Sequence, residues 1–166
     1  MWRKLNERIV YDGYRRVAAR SFETPAGVQD FEIKVEADGA AVVALTPQRE
    51  VVLVREFRPG PEDWLLELPG GVVDDGEDAA GAARRELFEE TGYDGEARRV
   101  GSVVDCAYST RVRHVCVVED AQKIADSSEG LEVVLLSLSA FRDHLRGGRL
   151  TDVAAGYVAL DALNLL

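Results

Sequence analysis

Four charged residues in the run AARRELFEETG, namely Arg85, Glu86, Glu89 and Glu90, have the types and spacing to do chemistry. On a helix, at about 100° per residue, Glu86, Glu89 and Glu90 project from one side, because positions three and four apart are surface neighbours. Three carboxylates therefore converge, and each like-charge pair at that spacing costs an isolated helix roughly 0.2–0.5 kcal/mol. A cation is the natural compensation, and hard oxygen donors suit Mg²⁺ or Mn²⁺, not zinc, which favours His or Cys. The plain alternative is an exposed acidic helix face, which would suffice if only the Glu89–Glu90 pair were present.

The elements that must position these carboxylates are legible on both sides. A segment from about 79 to 91 is alanine-rich, with Glu77 and Asp78 at its favourable N-terminal end and Gly92 where a left-handed cap would stand. Its apolar side reads as Ala79, Ala80, Ala83 and Leu87. Before it lies a Gly-rich loop, Leu68-Pro69-Gly70-Gly71, where glycine lets the backbone approach a ligand, so that a carbonyl could join the carboxylates around a metal.

From Gly71 to Tyr93 the spacing is G, five residues, E, seven residues, then R-E-apolar-x-E-E-x-G-apolar. At every defined position this resembles the Nudix box of the Nudix hydrolase family, and chance agreement over so many spaced positions is remote. The resemblance implies an α+β chain with the Nudix fold, an α/β/α sandwich around a mixed sheet, and hydrolysis of a nucleoside diphosphate linked to another moiety. It also implies Glu86, Glu89 and Glu90 as ligands of Mg²⁺ (or Mn²⁺), with the Gly70 carbonyl beside them. By the same carry-over Glu86 and Glu90 are catalytic, while Arg85 and Glu77 orient the carboxylates. A divalent ion would neutralise the diphosphate and acidify water, which explains how a chain with 30 acidic and 20 basic residues could bind an anion.

The rest of the composition fits one enzyme of 166 residues, long enough to bury a core. A formal net charge of −10 argues against nucleic acid and anionic membranes as partners. No apolar run reaches membrane-spanning length and no signal-like stretch follows Met1, so a cytoplasmic location is expected. Cys106 and Cys116 lie in strand-like segments without C-x-x-C spacing and read as buried, reduced thiols.

Residues 14–23 and 30–37 read as strands joined by a turn at Thr24-Pro25-Ala26-Gly27, forming an N-terminal hairpin. Residues 41–45, 51–57, 99–105, 112–118 and 132–138 read as further strands, with 64–68 leading into the box. Residues 140–146 and 152–163 read as helices around Gly147-Gly148. The N-terminal strands, the stretch VVLVREFRPGPEDWLLELPGG and the closing TDVAAGYVALDAL resemble the ADP-ribose pyrophosphatase branch of the family. That likeness implies residues 1–38 as an antiparallel dimerisation extension, 39–166 as the hydrolase domain, and a homodimer with shared active sites. It makes Arg55, Glu56 and Arg58 candidates for the substrate diphosphate or ribose. Phe57 and Trp64 could stack near a base, although packing in the core is the stronger expectation for two aromatic residues.

The branch often carries a proline-containing loop and then an acid about sixteen residues beyond the box. Here Cys106-Ala107-Tyr108-Ser109-Thr110-Arg111-Val112-Arg113-His114 has no proline, and Arg111 falls near the acid's place. Tyr108, Arg111 or Arg113 could then meet a different base, sugar or phosphate, while His114, inside a strand pattern, reads as structural. For the general base the resemblance points to the acidic loop 125–132 and first to Glu129, with Asp126 and Glu132 behind it. The expected reaction is Mg²⁺-dependent hydrolysis of a nucleoside diphosphate sugar, ADP-ribose first and GDP-mannose-like sugars next. A non-catalytic nucleotide sensor is the alternative from another class; such domains usually lose box glutamates, which this chain keeps. Damaged nucleoside triphosphates are a third substrate class, against which the N-terminal extension and the REFRP stretch argue.

Overall fold

The computed structural model describes all 166 residues, Met1–Leu166. The chain forms two compact units: Met1–Asp38 with Val104–Val112, and Gly39–Val103 with Arg113–Leu166. In the first, β1 (Arg3–Asp12), β2 (Arg16–Thr24) and β3 (Gly27–Val35) make an antiparallel sheet in that order. The turn between β2 and β3 stands where expected. Thr24 Oγ1 donates to the Gly27 carbonyl at 2.8 Å, and Gly27 has φ 103°, a conformation that glycine adopts without strain. The hairpin expectation was one strand short: β1 was not anticipated, because every one of its residues is exposed and period-two burial leaves no mark on it. Segment 104–112 adjoins β3, with Lys34 N–H donating to Tyr108 O at 2.8 Å and Thr110 N–H to Lys34 O at 3.0 Å.

The second unit is built on β4 (Gly39–Ala44), β5 (Glu50–Arg58), β6 (Asp63–Glu67), β7 (Gly70–Val72), α1 (Ala79–Thr91), β8 (Tyr93–Asp94), β9 (Ala97–Val104), β10 (Val112–Val118), β11 (Gln122–Lys123), β12 (Glu132–Ser137), α2 (Leu138–Gly147) and α3 (Val153–Ala162). A mixed sheet runs β7-β4-β10-β9, with β4 and β10 parallel; an antiparallel sheet runs β12-β5-β6; β8 and β11 form a small ladder. Strand alternation explains the layers. Ala40, Val42 and Ala44 of β4, with Cys116 and Val118 of β10 and Val52 of β5, pack against Ala79, Ala82, Ala83 and Leu87 of α1. The intervening Ala41, Val43, Val115, Val117, Val51 and Leu53 pack against Phe141 and Leu145 of α2 and Ala155, Ala159 and Leu160 of α3. Strands buried on both faces read as unbroken apolar runs, as β4 and residues 115–118 of β10 do. This is the α/β/α sandwich with a mixed sheet that the resemblance implied.

Four details correct the sequence reading. Ala82, not the half-buried Ala80, completes the buried stripe of α1. Gly70–Val72 is a short strand on the edge of the mixed sheet, not a loop. Cys106 sits outside any strand and is partly exposed, whereas Cys116 is buried in β10; both are free thiols. Phe57 and Trp64 face each other across β5 and β6 with ring centroids 5.8 Å apart, yet remain 45% and 60% exposed, so they do not pack in the core. No helix is long and apolar enough to cross a membrane.

Candidate active site

Helix α1 starts and stops where its sequence dictates. The Asp78 side chain caps it by accepting from Gly81 N–H at 2.7 Å, and Gly92, at φ 71°, closes it by donating its N–H to Phe88 O at 2.8 Å. Burial of Ala82, Ala83 and Leu87 then turns the opposite edge, with its glutamates, toward β7. Gly71 permits that approach, and Gly70 permits the close pairing of β7 with β4. A Cβ on Gly70 would meet Ala40 O at 2.2 Å, and one on Gly71 would meet Glu86 Oε1 at 2.2 Å.

Arg85 ties the acidic residues together. Its Nε and Nη2 donate to Glu77 at 3.2 and 3.1 Å, its Nη1 to Glu86 Oε1 at 2.8 Å and Glu89 Oε2 at 3.1 Å, and its Nη2 also to Val72 O at 3.0 Å. The hydrogen bond from Arg85 holds the Glu77 carboxyl below its ordinary range, and the same acids, Glu77 foremost, raise Arg85. Glu90 is different: it is 7% exposed, accepts from Gly70 N–H at 3.1 Å, and forms no ion pair. Burial pushes its carboxyl up to about 8. The Gly70 N–H opposes that shift, while the charges of Glu86, Glu129 and Glu56 reinforce it. Burial also raises Glu86, against the Arg85 hydrogen bond and with Glu89 and Glu129 adding to the effect.

Five acids from three places in the chain, Glu56, Glu86, Glu89, Glu90 and Glu129, thus act on one another. They do not close into a ligand cage, and Arg85 Nη1 bridges Glu86 and Glu89. The donor chemistry nevertheless fits a hard divalent cation, since every side-chain donor is a carboxylate oxygen and the buried Glu90 has no cationic partner.

The remaining candidates are distributed unevenly. Arg58 pairs with Glu56 at 2.8 Å and with the fully buried Glu67 at 3.3 Å, while Arg55 pairs with Glu132 at 3.0 Å. Glu67 was not singled out by sequence reasoning. Its Oε2 accepts from Thr151 N at 2.8 Å and Thr151 Oγ1 at 3.0 Å, a partner 84 residues away, and its signal was an acid amid the apolar WLLELPGG. Arg111 lies in the first unit, where its Nε donates to Ala37 O at 2.9 Å and Glu36 is 3.8 Å away. Arg113 forms a partly buried pair with Asp152 at 3.1 Å. Tyr108 is exposed, and His114 lies within β10.

An α/β/α sandwich with this carboxylate-bearing helix defines a class, and residues 35–151 match the NUDIX domain family. The chain belongs to that family. It is 38% identical over 94 residues to the CMP-5'-(N-acetyl-N-hydroxy-3-aminopropyl)phosphonate hydrolase of Streptomyces rubellomurinus, covering 55% of this chain and 46% of that protein. It is 30% identical over 112 residues to the ADP-ribose pyrophosphatase of Bacillus subtilis, covering 64% and 60%. The chain therefore spans between 46% and 60% of the length of these two relatives. Among solved structures, the crystal structure of an ADP compounds hydrolase superposes with a TM-score of 0.80 over 99% of this chain and 97% of that one, at 20% identity.

Proposed function

We propose that this protein hydrolyses the diphosphate linkage of a nucleoside diphosphate sugar in a Mg²⁺-dependent reaction, with ADP-ribose as first substrate and AMP and ribose 5-phosphate as products. The observation that carries the reading is the buried Glu90, which pairs with no arginine or lysine and feels the charges of Glu86, Glu129 and Glu56. Its support from outside the chain is the similarity to a Bacillus subtilis protein named for ADP-ribose.

Glu86, Glu89 and Glu90, with the Gly70 backbone, would hold the divalent ion. Bound there, Mg²⁺ supplies charge neutralisation of the diphosphate and acidification of water. The chain's own residues do the rest. Arg85, forked between Glu77 and the Glu86–Glu89 pair, fixes the rotamers of two ligand carboxylates. Glu129 takes the proton from the attacking water as the P–O bond to the leaving monophosphate breaks. Arg55, Glu56 and Arg58 meet the diphosphate or ribose at the end of β5, and the exposed Phe57–Trp64 pair offers a ring face to a base. Arg111 is kept as a contact for a sugar or phosphate group.

Residues 1–38 act in this reading as a dimerisation extension and 39–166 as the hydrolase domain. The exposed β1, with Leu5, Ile9, Val10 and Tyr11 all more than a third accessible, supports a homodimer. A related substrate class is favoured by two observations. The Streptomyces relative is named for a CMP conjugate, and segment 106–114 lacks the branch's proline, so another nucleotide conjugate such as GDP-mannose stands second.

The test is a panel of ADP-ribose, other nucleotide sugars, dinucleotides and nucleoside triphosphates with Mg²⁺, using Glu90→Gln as control. Release of two monophosphates from one nucleotide sugar, lost in the variant, is the expected result. Tight binding without turnover of any panel member would make the protein a nucleotide sensor.

A further inference from the structure

The last carbonyls of a helix have no partner within it, and those of α1 are taken by the chain that follows. Lys123 Nζ donates to Thr91 O at 2.7 Å, and Ile124 and Ala125 N–H donate to Gly92 O at 2.9 and 3.2 Å. Glu89 O receives the Ser128 N–H at 2.9 Å, the Ser128 hydroxyl at 3.0 Å and the Ser127 hydroxyl at 3.3 Å. The two serines thus dock segment 124–131 on the backbone of a residue whose side chain faces the site.

Ser127 does more than dock. A serine hydroxyl has one proton to donate and two lone pairs to accept with. The Ser127 proton goes to Glu89 O, and its lone pairs accept Glu129 N–H at 3.2 Å and Leu131 N–H at 3.3 Å. All three capacities are used, and two of them grip the backbone on either side of the Glu129 side chain. Between those amides Gly130 takes φ 70°, the left-handed turn that lets the chain fold back over one hydroxyl. Ser128, whose bonds go only to Glu89 O, lacks this second function.

We propose that Ser127 is a positioning residue: its hydroxyl couples the C-terminal end of the carboxylate-bearing helix to the Glu129 backbone and holds that carboxylate against the acidic cluster. This rests on the reading of Glu129 as the base. A base displaced by about 1 Å can cost about 100-fold in rate. Ser127→Ala removes one donor and two acceptors on an accessible loop, and Ser127→Thr keeps them.

The test uses the full chain with ADP-ribose and Mg²⁺, and amide hydrogen exchange without either. Ser127→Ala is expected to speed exchange at Glu129 and Leu131 and to lower kcat about 10- to 100-fold with KM within about two-fold. Ser127→Thr restores both, and the thermal midpoint is little changed. In a Glu129→Gln background, Ser127→Ala adds nothing further to the loss of kcat, because the two act as one unit. Unchanged exchange at Glu129 and Leu131 in Ser127→Ala, or a kcat loss of the same factor in both backgrounds, overturns the positioning role. Normal turnover in Glu129→Gln with accelerated exchange in Ser127→Ala instead removes the base assignment, leaving Ser127 a holder of the loop alone.

Discussion

Two carboxylates in the site are set by opposite means. Glu86 is held by an arginine fork and by a backbone with no Cβ in its way, whereas Glu90 is held by burial and a single N–H. Gly71→Ala would drive a methyl group into Glu86 Oε1, so kcat should fall at least about ten-fold while circular dichroism and thermal midpoint stay close to the parent. Arg85→Lys keeps the charge but cannot reach Glu77 and the Glu86–Glu89 pair together. It should raise the Mg²⁺ concentration needed for half-maximal rate, and an unchanged Mg²⁺ requirement would show that the fork does not orient the ligands. Residue types at a local spacing, together with the likeness to the Nudix box, were enough to nominate Arg85, Glu86, Glu89 and Glu90. Glu67 and Ser127 were not legible, because the first acts through Thr151 across the unit and the second through hydrogen bonds that exist only once a loop has docked.

At the scale of elements, α1 is the piece on which the site depends. Its ends at Ala79 and Thr91 were readable from Asp78 and Gly92, because caps are short-range chemistry. Gly92 carries a further constraint, for a Cβ there would lie 2.0 Å from Ala125 O. Gly92→Ala combines that clash with a left-handed backbone and should cost about 1–3 kcal/mol in urea unfolding. It should also loosen the segment carrying Glu129. Leu87→Ala, at a fully buried position facing β4, should cost about 2–5 kcal/mol by the same measurement. Strands were readable where alternation or unbroken burial marked them. Strand β1, exposed throughout, and the Phe57–Trp64 pair, exposed despite its size, escaped because neither propensity nor hydrophobicity reports what a surface faces.

At the scale of the molecule, the first of the two compact units has an electrostatic anchor of its own. There the Glu36 carboxylate, nearly buried, takes a hydrogen bond from Ser109 Oγ at 2.8 Å and faces Arg15 at 3.0 Å, Lys34 at 3.2 Å and Arg111 at 3.8 Å. Burial alone would raise its carboxyl, but Ser109, Lys34 and Arg111 together bring it below the ordinary 4.5. A group whose folded value is depressed contributes stability that is full above the unfolded value and lost as the pH falls through the folded one. Glu36→Gln should therefore lower the thermal midpoint at pH 7, with the difference from the parent shrinking as the pH drops below 4.5. A difference that grows toward acid would contradict this. The proposed homodimer belongs to this scale too, and light scattering should give twice the chain mass at micromolar concentration, against a single chain mass if β1 stays unpartnered.

If Glu86, Glu89 and Glu90 hold a divalent cation on which hydrolysis depends, the rate of AMP release from ADP-ribose against Mg²⁺ concentration, for the parent chain and Glu90→Gln, reports that dependence. The expected result is no release in EDTA, a saturable rise with Mg²⁺ in the parent, and a rate at least about 100-fold lower in the variant at saturating Mg²⁺. Full release in EDTA, or a variant as fast as the parent, would contradict it.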